Sequence, residues 1–154
     1  MRVISLQLAL ILSLFSCKQS QTDIKVQEIN EILNSAGLSQ NLSDVDILFL
    51  VPNAGCDGCI TMAESFIVDN IDKHQNFITI FTDTKSHKAL KLKIGERVFN
   101  HDRVFIDRQN LFYSGSLMSI YPLIAYIEMG QVHTIVEVSP ENNTALDNLT
   151  SQLK

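Results

Sequence analysis

The segment that most constrains the fold is Ile47-Leu48-Phe49-Leu50-Val51, a continuous apolar run of strand length closed by Pro52. A run without alternation has no face to offer to water. It predicts a strand buried on both sides, in a sheet covered by helices on each face. A tight turn, Asn53-Ala54-Gly55, follows and leads into Cys56-Asp57-Gly58-Cys59. Beyond the cysteines, Ile60, Ala63, Phe66 and Ile67 mark one face of a helix running to about Asn70. The cysteine pair therefore sits where a central strand hands over to a helix N-terminus. Unpaired backbone N–H groups and the positive end of the helix dipole stabilise an anion there, which favours the thiolate of the first cysteine. The second, one turn further in, is near enough to close a disulfide with it.

The remaining chain alternates as a covered sheet requires. Ile24, Ile29, Ile32, Leu33 and Ala36 fall at helical spacing, with Asp23 placed to cap the start and Gly37 to stop the helix. Phe77 to Asp83 is rich in β-formers, and Thr84 to Gly95 reads as a helix ended by its glycine. Val104-Phe105-Ile106 is a short strand. Leu123 to Ile127 and Val132 to Val138 flank Glu128-Met129-Gly130-Gln131, a hairpin with glycine in its turn. Ala145, Leu146, Leu149 and Leu153 give Thr144 to Leu153 the pattern of a terminal amphipathic helix. No internal repeat interrupts this order, which predicts one α/β domain with a mixed sheet between helices.

The N-terminus carries a different signal. After Arg2, Val3 to Ser16 is almost wholly apolar. That run is shorter than the roughly 20 apolar residues a membrane span needs and matches a secretory leader; an uncleaved anchor helix is the alternative. Leu14-Phe15-Ser16-Cys17 then resembles the bacterial lipobox, in which the cysteine is acylated and becomes the first mature residue. Two or more acyl chains give stable attachment where one is marginal. The competing reading is ordinary leader cleavage that leaves Cys17 as a spare thiol. Lys18 to Asp23 is polar and reads as a flexible tether. Export places Cys56 and Cys59 where disulfides persist.

Composition excludes one class of partner. The formal charge is −5, and removing residues 1–16 leaves eleven basic against seventeen acidic side chains, or −6. Tryptophan is absent and aromatics amount to 7%. Such a chain has neither the basic surface nor the stacking platforms of a nucleic-acid binder. His74, His87, His101 and His133 are scattered, without metal-ligand spacing to the cysteines, and read as surface residues; no metal site is expected.

The succession strand, CxxC, helix, strand, helix and a hairpin led by a proline resembles the thioredoxin superfamily, closest to its membrane-anchored TlpA-like redoxins. The similarity runs from about Ile47 to Leu153, and Cys56, Cys59 and Pro122 carry its specificity. Val104 to Phe112 is similar to the family's strand and Asp-rich turn, and Ser119-Ile120-Tyr121-Pro122-Leu123 to its cis-proline strand. The resemblance implies a thioredoxin-like α/β fold over residues 24–154, behind a lipoprotein leader at 1–16 and a lipidated, tethering segment at 17–23. It implies that Tyr121–Pro122 is cis, beside the cysteines, with Tyr121 and Pro122 forming a groove for bound peptide. The chain departs from the family pattern at Tyr121, where Thr is common, and at four positions nearer the pair. Gly55 replaces the usual Trp before the first cysteine, Asp57-Gly58 replaces Gly-Pro between the pair, and Leu50 stands where thioredoxins bury an acid.

Three functions follow. The first is a thiol–disulfide oxidoreductase of the cell envelope, lipid-anchored with its domain in the periplasm, on the inner or outer membrane. Cys56 would be its nucleophile and Cys59 its resolving thiol. It would need no cofactor; its partners would be client proteins with cysteines or disulfides and an envelope electron donor. The second is a binding module of the same fold with a structural disulfide. The third is a heavy-metal domain in which both thiolates hold a soft ion such as Cu(I).

Overall fold

The computed structural model describes residues 20–153. The leader expected at 1–16 and the lipidation expected at Cys17 fall outside the described residues. Helix α1 spans Gln21–Ser35 and so begins before the expected Ile24. Ser20 is its N-cap. The Ser20 hydroxyl accepts from the Asp23 amide while the Asp23 carboxylate accepts from the Ser20 amide, a reciprocal capping box. Asp23 is thus the third helical residue rather than the cap, and the polar stretch after Cys17 is helical from Gln21. The other end behaves as Gly37 predicts. With Gly37 at φ +67, its amide reaches the Asn34 carbonyl and the Leu38 amide reaches that of Leu33, closing a Schellman motif.

Strand β1, Ile47–Pro52, is buried along its whole length. It lies at the centre of a five-stranded sheet with β2 (Phe77–Thr82), β3 (Val104–Ile106), β4 (Leu123–Glu128) and β5 (Gln131–Glu137) in the order β3-β2-β1-β4-β5. The β1–β2 and β2–β3 pairs are parallel; β4 is antiparallel to β1 and to β5. Helices α2 (Asp57–Asn70) and α3 (His87–Phe99) make the two parallel crossovers, and α4 (Ala145–Gln152) ends the described chain. The architecture is α/β and thioredoxin-like, with a mixed sheet between helices.

The unbroken apolar run of β1 finds its explanation in two cores. Ile47, Phe49 and Val51 pack with Ile60, Ala63, Phe66 and Ile67 of α2, Leu90, Ile94 and Val98 of α3, and Ala145 and Leu149 of α4. Leu48 and Leu50 point the other way, onto Ile29 and Leu33 of α1 and onto Phe112 and Leu117 of the β3–β4 connection. Each fully buried side chain of this kind contributes about 1.5–3 kcal/mol relative to exposure. A polar residue anywhere in β1 would therefore spoil one of the two cores.

Two local outcomes refine the sequence reading. Helix α3 starts at His87, where the Ser86 hydroxyl caps the Ala89 amide. Gly95, at φ +81, does break the helix, but the chain resumes for a further turn to Phe99 because Val98 returns to the core. In the β4–β5 hairpin, Met129 and Gly130 both have positive φ, +51 and +76, the geometry of a two-residue type I′ turn. Among the described residues no helix is long and apolar enough to cross a membrane.

Candidate redox site

Strand β1 delivers the chain to the site. Pairing with β2 continues one step past Pro52, since the Asn53 amide donates to the Thr82 carbonyl at 3.0 Å. The backbone then turns through Ala54 and Gly55. Gly55 has φ +150 and lies directly under Ile120; a Cβ here would fall 2.3 Å from the Ile120 carbonyl oxygen. The Cys56 amide donates to that same oxygen at 2.9 Å. The cysteine loop is thereby fastened to the segment preceding β4, at an approach only glycine permits.

Cys56 is the N-cap of α2, with an extended backbone (φ −71, ψ 95), and its carbonyl accepts the Ile60 amide. It is half-buried, whereas Cys59, the third helical residue, is 3% exposed. The two are joined as a disulfide with Cα atoms 5.3 Å apart, inside the usual span for such a bond. Asp57 and Gly58 between them are exposed. Cys56 thus holds the position from which a Ser or Asp side chain would accept the N2 or N3 amide of a helix.

The segment expected to form a groove is beside the pair, through the Ile120 carbonyl. One expectation is overturned: the Tyr121–Pro122 peptide is trans, since no described peptide bond is cis. The trans form of an X–Pro bond is favoured by about 0.5–1 kcal/mol, and nothing here demands reversal. Pro122 is buried and leads into β4, its carbonyl accepting from the Val138 amide; at the start of a strand the reciprocal bond that its missing N–H forgoes is tolerated. Tyr121 is half-buried, its amide bonded to the Ser119 hydroxyl. Met118 and Ile120 beside it are exposed, at 60% and 54%. Leu50 is 2% exposed on the far side of β1 from α2. His133 is exposed, while His74, His87 and His101 are half-buried rather than on the open surface. Among the described residues no three His, Cys, Asp or Glu side chains are grouped to hold a metal ion.

Two acids that matter locally escape a sequence reading. Asp107, 9% exposed, accepts from the Thr82 hydroxyl and from the Leu111 and Phe112 amides, and so sets the course of the chain after β3. An Asp closing a strand, with Asn110 three residues on, is a turn signal that could have pointed to it. Glu28 on α1 holds Ser116; no local pattern announces a contact across that much chain. Burial raises the pKa of Tyr126 on β4 above its ordinary value.

Comparison with protein-family models, with curated proteins and with solved structures finds no match to this chain. The site is therefore defined by its own geometry, a CxxC disulfide between the central strand and a helix N-terminus of a thioredoxin-like fold, and that geometry fits a redox or disulfide role.

Proposed function

We propose that this chain is a thiol–disulfide oxidoreductase of the thioredoxin superfamily that acts on exported proteins from a lipid anchor at Cys17 in the bacterial cell envelope. The observation that carries the reading is the asymmetry of the pair. Cys56 is the half-buried N-cap and Cys59 the enclosed third residue of the same helix. In the reduced protein a Cys56 thiolate faces the first-turn amides and the positive helix end, while Asp57 opposes it by like charge. The thiolate attacks one sulfur of a client disulfide, and the client's other sulfur leaves as a thiolate. Cys59, deprotonated, then attacks the Cys56 sulfur of the mixed disulfide and expels the client's second thiolate. The client has gained two electrons, and Cys56 and Cys59 are joined. A dithiol donor of the envelope returns the two electrons by the same exchange. The Ile120 carbonyl receives the Cys56 amide, and Tyr121 and Pro122, which follow it, supply in this reading the surface on which a client segment rests.

A second reading, a binding module with a structural disulfide, is favoured by Leu50, an apolar residue where thioredoxins bury an acid. Trapping separates the two. In the oxidoreductase, Cys59→Ser accumulates mixed disulfides through Cys56, Cys56→Ser accumulates few, and iodoacetamide labels Cys56 of the reduced protein well before Cys59. Equal labelling, with no mixed disulfide from Cys59→Ser, sinks the proposal and leaves the structural disulfide. Acylation is a separate matter: mass spectrometry of the membrane fraction should find a lipid-modified N-terminal Cys17, and an intact, unmodified Met1 would refute it.

A further inference from the structure

Three polar contacts that tie helix α1 to the rest of the molecule do not lead to the same place. Lys25 pairs with Glu137 of β5 at 2.6 Å. The Asn30 amide group bonds both the carbonyl and the N–H of Val132, also on β5, at 2.8 and 2.9 Å. These two fix the helix along the sheet edge. The third contact is different. One carboxylate oxygen of Glu28 accepts from the amide of Ser116 at 2.8 Å and from its hydroxyl at 2.5 Å. Gly115, at φ +54, lies so close to this carboxylate that a Cβ would fall 2.3 Å from its other oxygen.

Ser116 is the middle of a single 3-10 turn, Gly115–Leu117. Leu117 is 1% exposed and seated in the α1-side core. Three residues further on, the Ile120 carbonyl receives the Cys56 amide. Between the two fixed points the chain has little to hold it, since Met118 is exposed and Ser119 half-buried. Glu28, together with the buried Leu117, thus anchors the near end of the segment whose far end grips the cysteine loop.

We infer that Glu28 is a positioning residue for the cysteine pair, acting through Ser116 and the Ile120 carbonyl to hold Cys56 in its N-cap conformation. Glu28 itself touches neither sulfur. Its effect is on where the Ile120 carbonyl stands, and so on how firmly Cys56 faces the first-turn amides of α2. The inference rests on the redox reading for its consequence, though not for its geometry.

Amide hydrogen exchange by NMR on the oxidised protein reads the geometry directly. Glu28→Ala should speed exchange of the Cys56 amide by about tenfold, the size of one net hydrogen bond. The amides of Leu48 and Phe49 should change only as far as global stability falls. Asn30→Ala, which deletes an equally well-bonded anchor of α1, should move the Cys56 amide no more than the core amides. Glu28→Gln keeps an acceptor oxygen and should retain most of the protection. Ser116→Ala, which removes one of the two bonds and no apolar group, should give a smaller increase at Cys56, and it keeps the test open should Glu28→Ala not fold. In the reduced protein, the pH profile of Cys56 alkylation should shift upward in Glu28→Ala as the cap loosens. Unchanged exchange at Cys56 in Glu28→Ala, or an equal rise in Asn30→Ala, overturns the inference. If Cys59→Ser, with Glu28 intact, fails to trap mixed disulfides while the exchange pattern holds, the redox reading falls and the positioning stands. If trapping succeeds and the exchange pattern fails, the positioning alone falls.

Discussion

Replacing Gly55 by alanine tests the contact on which the site's geometry turns. The added Cβ would stand 2.3 Å from the Ile120 oxygen, 2.7 Å from its Cα and 2.8 Å from its carbonyl carbon. These are backbone atoms and cannot swing aside as a side-chain end would. A non-glycine residue at φ +150 also carries strain on the order of 1–3 kcal/mol. Relief requires the redox loop and the Ile120 segment to separate, which breaks the Cys56 amide bond and forfeits about 1 kcal/mol more. The substitution should therefore destabilise by about 2–4 kcal/mol, out of a total stability typically about 5–15 kcal/mol. Urea unfolding of the oxidised protein is the assay, followed by circular dichroism because the chain has no tryptophan. With a slope of about 1–3 kcal/mol per molar, the midpoint should drop by roughly 1–2 M. Gly37→Ala is the control. Its φ is +67 and its Cβ would meet nothing within 4 Å, so it carries only the cost of the left-handed backbone, about 1 kcal/mol. A Gly55→Ala variant no less stable than Gly37→Ala would refute the close approach, and with it the clamp on Cys56.

Asp107→Ala strands three donors, the Thr82 hydroxyl and the Leu111 and Phe112 amides. It should cost about 2–4 kcal/mol by thermal unfolding, while Asp107→Asn, which keeps an acceptor, should cost less; a neutral alanine variant would mean the turn holds without it. Tyr126 holds its proton above its ordinary value because it is partly buried. Its contribution to stability is whole below about pH 10, the value in the unfolded chain, and is lost as the pH rises through the higher folded value. An absorbance titration should show one of the three tyrosines ionising late, and Tyr126→Phe should remove that component and flatten the alkaline loss of stability.

The parts legible in the sequence were those written locally. Five adjacent apolar residues ending at Pro52 read as a doubly covered strand, and β1 is one. Gly37 and Met129-Gly130 sit where positive φ is needed, and both termini they mark are where they were expected. Local polar bonding was harder to read. Gln21 and Thr22 show no apolar period, so the true start of α1 depended on recognising Ser20 and Asp23 as a reciprocal cap. The pull of Val98 toward the core extended α3 beyond Gly95, an override of a stop signal by packing. At the site, the CxxC and its helix were readable, because the chemistry and the elements are contiguous. The cis bond at Pro122 had no support from the residues themselves, only from resemblance, and the bond is trans. Gly55 under Ile120 and Glu28 on Ser116 join distant parts of the chain. Neither residue type nor spacing can report such pairs before the fold brings them together.

The central claim is that Cys56 and Cys59 cycle between dithiol and disulfide. The most direct test is the equilibrium reduction potential of the pair, measured by mass shift after thiol trapping in graded dithiothreitol buffers. The account predicts a reversible two-electron transition within the span of thiol–disulfide enzymes, roughly −270 to −120 mV. A transition below about −300 mV, where structural disulfides lie, would contradict it.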